Sequence, residues 1–126
     1  GLDRLQVLAL TGITSLGDAD LPSIGLAPSV RDQICLLTQL AAASGCDGVI
    51  ASAQEATYLA DLLPQGSLIV TPGIQLPGAP GSDQSRVATP DFARRSGATH
   101  IVVGRAITHA ADPAQAYAVV KTAFGL

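Results

Sequence analysis

The sequence predicts an α/β fold built on parallel strands, and three observations carry that prediction. Four short runs are almost continuously apolar and rich in Val and Ile: "LQVLAL" (5–10), "GVIAS" (48–52), "SLIVT" (67–71) and "HIVVG" (100–104). Unbroken apolar runs of this length suit strands buried on both faces, as parallel strands are. Helical patterns separate the runs, and "SGCDGVIAS" and "SGATHIVVG" repeat one unit, a helix end followed by Gly, a polar residue and a strand. Strand and helix thus alternate four times, which calls for right-handed crossovers between parallel strands.

Each helix carries its own start and stop signals. Residues 29–44 place Ile34, Leu37, Leu40 and Ala41 at helical spacing, with Ser29 as N-cap and Gly45 as the stop. The second helix spans 54–63 and ends at Pro64. Thr89-Pro90 opens a third, with Thr89 as N-cap and Pro90 at the first helical position, closed by Gly97. Asp112-Pro113 repeats that opening for a fourth, running to Phe124.

Composition narrows the class. The 126 residues fit one domain, 1–126, and 48% hydrophobic content with mean hydropathy +0.39 is ample for a core. A net charge of -3 with no Lys/Arg cluster argues against nucleic acid, and 3% aromatics leaves few stacking platforms. No run approaches the roughly 20 apolar residues that span a bilayer, and no signal pattern stands at the N-terminus; the expected location is the cytoplasm. Cys35 and Cys46 lack zinc-type spacing and are expected to be small buried hydrophobes. Gly1, just before a strand and without an initiator Met, reads as the end of a cut chain or the scar of a tag.

Four units leave a problem of cover. A four-stranded parallel sheet with helices on one side would expose an apolar face and two edges. Either helices cover both faces, or the chain is half of an eight-stranded barrel.

Candidate chemistry clusters at strand ends. The third run ends in Thr71-Pro72-Gly73 and the fourth in Gly104-Arg105. Gly lets a ligand approach main-chain N–H groups, and the Arg105 guanidinium suits phosphate oxygens. Gly104-Arg105 is therefore either an anion site or an ordinary turn with a solvated Arg. The passage "VTPGIQLPGAPGSDQSRVATP" (70–90) holds a Gly/Pro-rich loop too long for a plain connection, hence either a binding loop or disorder. Within it Asp83 and Gln84 could meet a polar ligand or only water, as could Thr14 and Ser15 after the first strand. His100 is expected to be packed in the core and His109 to lie at a helix start or loop; neither joins a Ser/His/Asp order.

Together "DGVIASAQE", "VTPGI", "SDQSRVATP" and "IVVGRAITHAADPAQA" resemble the C-terminal half of the bacterial orotidine 5'-phosphate decarboxylase family, from about Leu5 to the end. The resemblance implies a (βα)8 TIM barrel, of which this (βα)4 chain would be strands five to eight. It implies a lyase that releases carbon dioxide from orotidine 5'-phosphate to give uridine 5'-phosphate (UMP), the last step of pyrimidine nucleotide synthesis, with no cofactor and no metal. Gly104 and Arg105 would bind the phosphate, and the loop after Pro72-Gly73 would close over the nucleotide with Gln84 reaching inward. Thr14 would contact the pyrimidine. Where bacterial members often have Arg after "TPGI", this chain has Gln75, which hydrogen-bonds without supplying charge.

The same resemblance places the catalytic Lys and Asp residues on strands two and three, outside this chain. Its one lysine is Lys121, in the last helix and expected to face solvent, and Arg105 is a poor proton donor. The isolated chain is therefore expected to be an inactive fragment, paired with an N-terminal half-barrel or with itself; the intact enzyme is expected to be a homodimer. The alternative is a non-catalytic phosphate-binding half-barrel that self-associates. Phosphate-binding barrels of tryptophan or histidine synthesis lack the "DQ…R…TP" pattern.

Overall fold

A computed structural model describes residues 4–12, 17–26, 29–76 and 88–126. Four strands, β1 (Leu8–Leu10), β2 (Gly48–Ile50), β3 (Leu68–Thr71) and β4 (His100–Ile101), form one sheet in the order β1-β2-β3-β4, every pair parallel. The helices are α1 (Val30–Ala43), α2 (Ala53–Leu59), α3 (Pro90–Arg95), α4 (Arg105–Thr108) and α5 (Pro113–Phe124). Sequence order equals spatial order, so each crossover steps one strand along, as in a barrel wall. A doubly wound sheet would reverse direction at a switch point.

The strands are shorter than their apolar runs, because the ladder ends where the chain turns to the next helix. Two short elements lack a sequence signal: the 3-10 turn Leu21–Ile24, and α4, a single turn whose first residue is Arg105. The helix caps fall where expected. Ser29 Oγ accepts from Asp32 N–H at 3.1 Å, Thr89 Oγ1 from Phe92 N–H at 3.2 Å, and Asp112 Oδ1 from Gln115 N–H at 3.0 Å. Gly45 at φ +80° and Gly97 at φ +99° follow α1 and α3 in the left-handed region that glycine adopts most easily. α2 begins with Glu55 accepting from Ser52 N–H at 2.8 Å and ends four residues earlier than expected.

Successive side chains on a strand face opposite ways, and among the described residues only one face is covered by helices. Val49 and Ile69 are buried beneath Ile34 and Ala41 of α1 and Ala56 and Leu59 of α2. A second cluster joins Ala93 and Phe124 to Ala53, Ile74, Ala88 and Ala98, with Ile101 packed against it. The opposite face carries Leu10, Ile50, Val70 and His100 in one cross-strand row. Leu10 is 61% exposed, and Val102 beyond the end of β4 is 52% exposed. Among the described residues helices pack on one face only, so of the two arrangements the sequence left open the half-barrel is the one observed. The inner-face side chains are not fully buried within this chain as the apolar runs suggest. The expectation of His100 as a core residue fails for the same reason. It is exposed on the uncovered face, its Nδ1 3.0 Å from Thr99 Oγ1. Cys35 and Cys46 are half-buried at the rim of the first cluster rather than inside it.

At the N-terminal end of the sheet, Asp47 accepts from Val7 N–H at 2.8 Å and pairs with Arg4, while Asp47 N–H donates to Val7 O at 2.8 Å. The Val7 hydrogen bond, then Arg4, holds the Asp47 carboxyl below its ordinary value of 3.8. This clasp fixes the entry of β1 against β2.

Candidate functional site

In a parallel barrel wall, ligand chemistry belongs to the C-terminal ends of the strands. At that end Thr11, after β1, donates from its hydroxyl to Ile50 O at 3.2 Å, and Val102 N–H donates to Thr71 O at 2.9 Å. The second bond places Pro72-Gly73 beside the Val102–Arg105 segment, so the two Gly-bearing strand ends singled out in the sequence are neighbours on one rim. Pro72 and Gly73 are half-buried, and Gly73 sits at φ +75°, turning the chain away from β3.

Gly104 is the N-cap of α4, exposed, with no heavy atom within 4 Å of where a Cβ would stand. That open space lets a ligand come up to the main chain. Arg105 opens α4 and is exposed at the same rim. A guanidinium next to an unobstructed glycine main chain can bind an anion by charge and N–H donation together. α4 itself is too short for its dipole to contribute much.

The long loop has an anchored base. Ile74 and Ala88 form a parallel bridge, Gln75 N–H donates to Ala88 O at 2.9 Å, and Ala88 N–H donates to Gly73 O at 3.3 Å. Ile74 and Ala88 are both buried in the second cluster. The excursion from Leu76 to Ala88 therefore leaves and returns at a single point on the rim, with Gln75, half-buried, at its stem. Thr14, Ser15, Asp83 and Gln84 lie outside the described residues.

A half-barrel implies an open inner face, but the sequence does not say which residues form it below the rim. Val102, and beneath it Val70, Ile50 and Leu10, give the rim an apolar floor. The signal was present in the alternation of side chains along each run, hidden because both alternating sets are apolar. Lys121 is exposed on α5 as expected, and His109 caps the end of α4. Among the described residues, no group of three His, Cys, Asp or Glu could hold a metal ion, and no helix is long and apolar enough to cross a membrane.

One face covered by helices among the described residues, four strands in sequential parallel order and a Gly/Arg rim at their C-terminal ends define half of a (βα)8 barrel. The orotidine 5'-phosphate decarboxylase / HUMPS family model matches residues 2–120, and the chain belongs to that family. Relatives include the orotidine 5'-phosphate decarboxylases of Rhodopseudomonas palustris (strain HaA2), 42% identical over 116 residues, and Vibrio atlanticus (strain LGP32), 43% identical over 121. These alignments cover 92% and 96% of this chain but 49% and 52% of the relatives. The crystal structure of orotidine 5'-phosphate decarboxylase from Lactobacillus acidophilus superposes with a TM-score of 0.80 at 37% identity, over 96% of this chain and 50% of that one. The chain thus spans about half the length of the relatives it matches.

Proposed function

We propose that this chain is the phosphate- and pyrimidine-binding half of an orotidine 5'-phosphate decarboxylase. The observation that carries the reading is the juxtaposition of Pro72-Gly73 with Gly104-Arg105 on one rim, tied by the Val102 to Thr71 hydrogen bond. On this reading Arg105 and the Gly104 main chain take the phosphate of the nucleotide. Pro72 and Gly73 line the side of the pocket, and Gln75 stands at the loop stem, where it can donate a neutral hydrogen bond. Thr14 and Gln84 complete the set by family resemblance.

Decarboxylation needs a proton for the carbanion left on the ring, and no lysine stands at this rim; Lys121 is exposed on α5. The chemistry is therefore assigned to a first half-barrel, which would also cover the inner face, with the assembled enzyme a cytoplasmic homodimer. No metal or cofactor is invoked.

Calorimetric titration of the chain with UMP, beside Arg105→Ala, tests the reading. Loss of a charge-assisted phosphate contact is expected to cost roughly 1.5–3 kcal/mol, about 10- to 150-fold in Kd. Equal affinity in parent and variant would remove Arg105 from the site. Turnover of orotidine 5'-phosphate by the purified chain would overturn the assignment of the proton donor to another half.

A further inference from the structure

We propose that Glu55 is a positioning residue for the nucleotide rim: its carboxylate holds the turn between β2 and α2 against the base of the long loop, and so sets where Gly73 and Gln75 stand. The role deepens the nucleotide reading and rests on it for the ligand, though not for the loop base.

Among the described residues Glu55 is the one charged side chain that is buried, 4% exposed in the first turn of α2. Capping a helix does not demand that burial. The first-turn acids of α1 and α3, Asp32 and Asp91, are both exposed. Taking a carboxylate out of water is costly unless hydrogen bonds hold it, and Glu55 accepts from Ser52 N–H at 2.8 Å. Ser52 is itself 1% exposed, so without that acceptor its N–H would be left inside the protein with no water to take the place of the carboxylate.

Close packing couples this turn to the rim. Ser52 leads into Ala53, which is 1% exposed and belongs to the same buried cluster as Ile74 and Ala88. Ala53, Ala88, Ala93 and Ala98 make that cluster rich in small residues, so main chains sit near one another with few flexible side chains to absorb a shift. Ile74 and Ala88 are the bridge at which the loop leaves and returns. Beside them Ala88 N–H donates to Gly73 O, and Gln75 N–H donates to Ala88 O. A displacement at Ser52 therefore reaches Gly73 and Gln75 through packed residues alone. Gly104 and Arg105 instead stand at the start of α4, which packs on α5. The two sides of the rim can thus be disturbed separately.

Two-dimensional NMR of the chain, beside Glu55→Ala and Glu55→Gln, reads main-chain position, folded fraction and ligand affinity from the same samples. Glu55→Gln keeps a side-chain oxygen that can accept from Ser52 N–H, and Glu55→Ala does not. Glu55→Ala is expected to move the amide signals of Gly73, Gln75 and Ala88 while those of Gly104 and Arg105 stay in place. Its UMP affinity is expected to fall about tenfold, with inorganic phosphate bound within about twofold of the parent. Glu55→Gln is expected to bind UMP within about threefold of the parent. Should Glu55→Ala not fold, Glu55→Asp, one methylene short of Ser52 N–H, takes its place with the same expected outcomes. Equal loss of UMP and phosphate affinity would make Glu55 a residue of general stability and overturn the proposal. So would unmoved signals at Gly73, Gln75 and Ala88, or a Glu55→Gln variant as weak as Glu55→Ala. A parent that does not bind UMP would fail the nucleotide reading, and the ligand-free signals of Gly73, Gln75 and Ala88 would still decide for or against Glu55.

Discussion

At Gly48 the main chains of β2 and β3 leave no room for a side chain, and a single methyl there should separate the two strands. A Cβ built on Gly48 would stand 2.1 Å from Leu68 O and 2.7 Å from Leu68 C, both main-chain atoms that no rotamer change can move. Relief to ordinary contact near 3.4 Å requires the strands to part by about 1.3 Å. The neighbouring hydrogen bond from Leu68 N–H to Asp47 O, now 2.9 Å, would stretch toward 4 Å and be lost, and the Ala51 to Val70 bond at 3.1 Å would be strained. Forcing atoms into a packed interior costs about 1–3 kcal/mol, and one or two ladder bonds about 1 kcal/mol each. Gly48→Ala should therefore lose about 2–5 kcal/mol, a large part of the 5–15 kcal/mol typical of a domain. Urea unfolding followed by circular dichroism at one fixed protein concentration measures it. Gly17→Ala serves as control, since its nearest atom, Asp20 Oδ2, lies at an ordinary 3.6 Å. A Gly48→Ala midpoint within error of the parent would refute the close approach of β2 and β3 and, with it, the register on which the rim is built.

Two further tests address the clasp and a cap. Because Val7 N–H and Arg4 lower the folded-state carboxyl of Asp47 below 3.8, its ionised form stabilises the fold fully above that pH. That contribution is lost as pH falls through the lower folded value. Asp47→Asn should accordingly destabilise the chain at neutral pH and flatten the acid limb of its stability curve, and an unchanged limb in pH-dependent melts would show that the clasp contributes nothing. Thr89→Ala removes the acceptor for Phe92 N–H at the start of α3 and should cost about 1 kcal/mol in the same urea assay, whereas no loss would show that Pro90 alone sets the helix start.

Much of the rim was legible in the sequence because its parts are local. Gly73 and Gly104-Arg105 stand at strand ends that apolar runs mark, and Thr89 and Asp112 announce their helices by cap chemistry within a few residues. The anchored base of the loop was not legible. The pairing of Ile74 with Ala88 links residues across a long excursion, and nothing in either neighbourhood signals it.

The sequence by itself determined the alternation of strands and helices, the cap positions, the family and the absence of a lysine at the rim. Those are properties of composition, period and short motifs. Only the tertiary structure decided between cover on both faces and a half-barrel with, among the described residues, one face open, and which residues of each run lie on it. Burial on two faces and burial on one face write the same apolar run when the second face belongs inside a barrel. His100 shows the reason: it sits in an apolar run like any core residue, and only the positions of all the helices reveal that its side of the sheet has no cover within this chain's described residues.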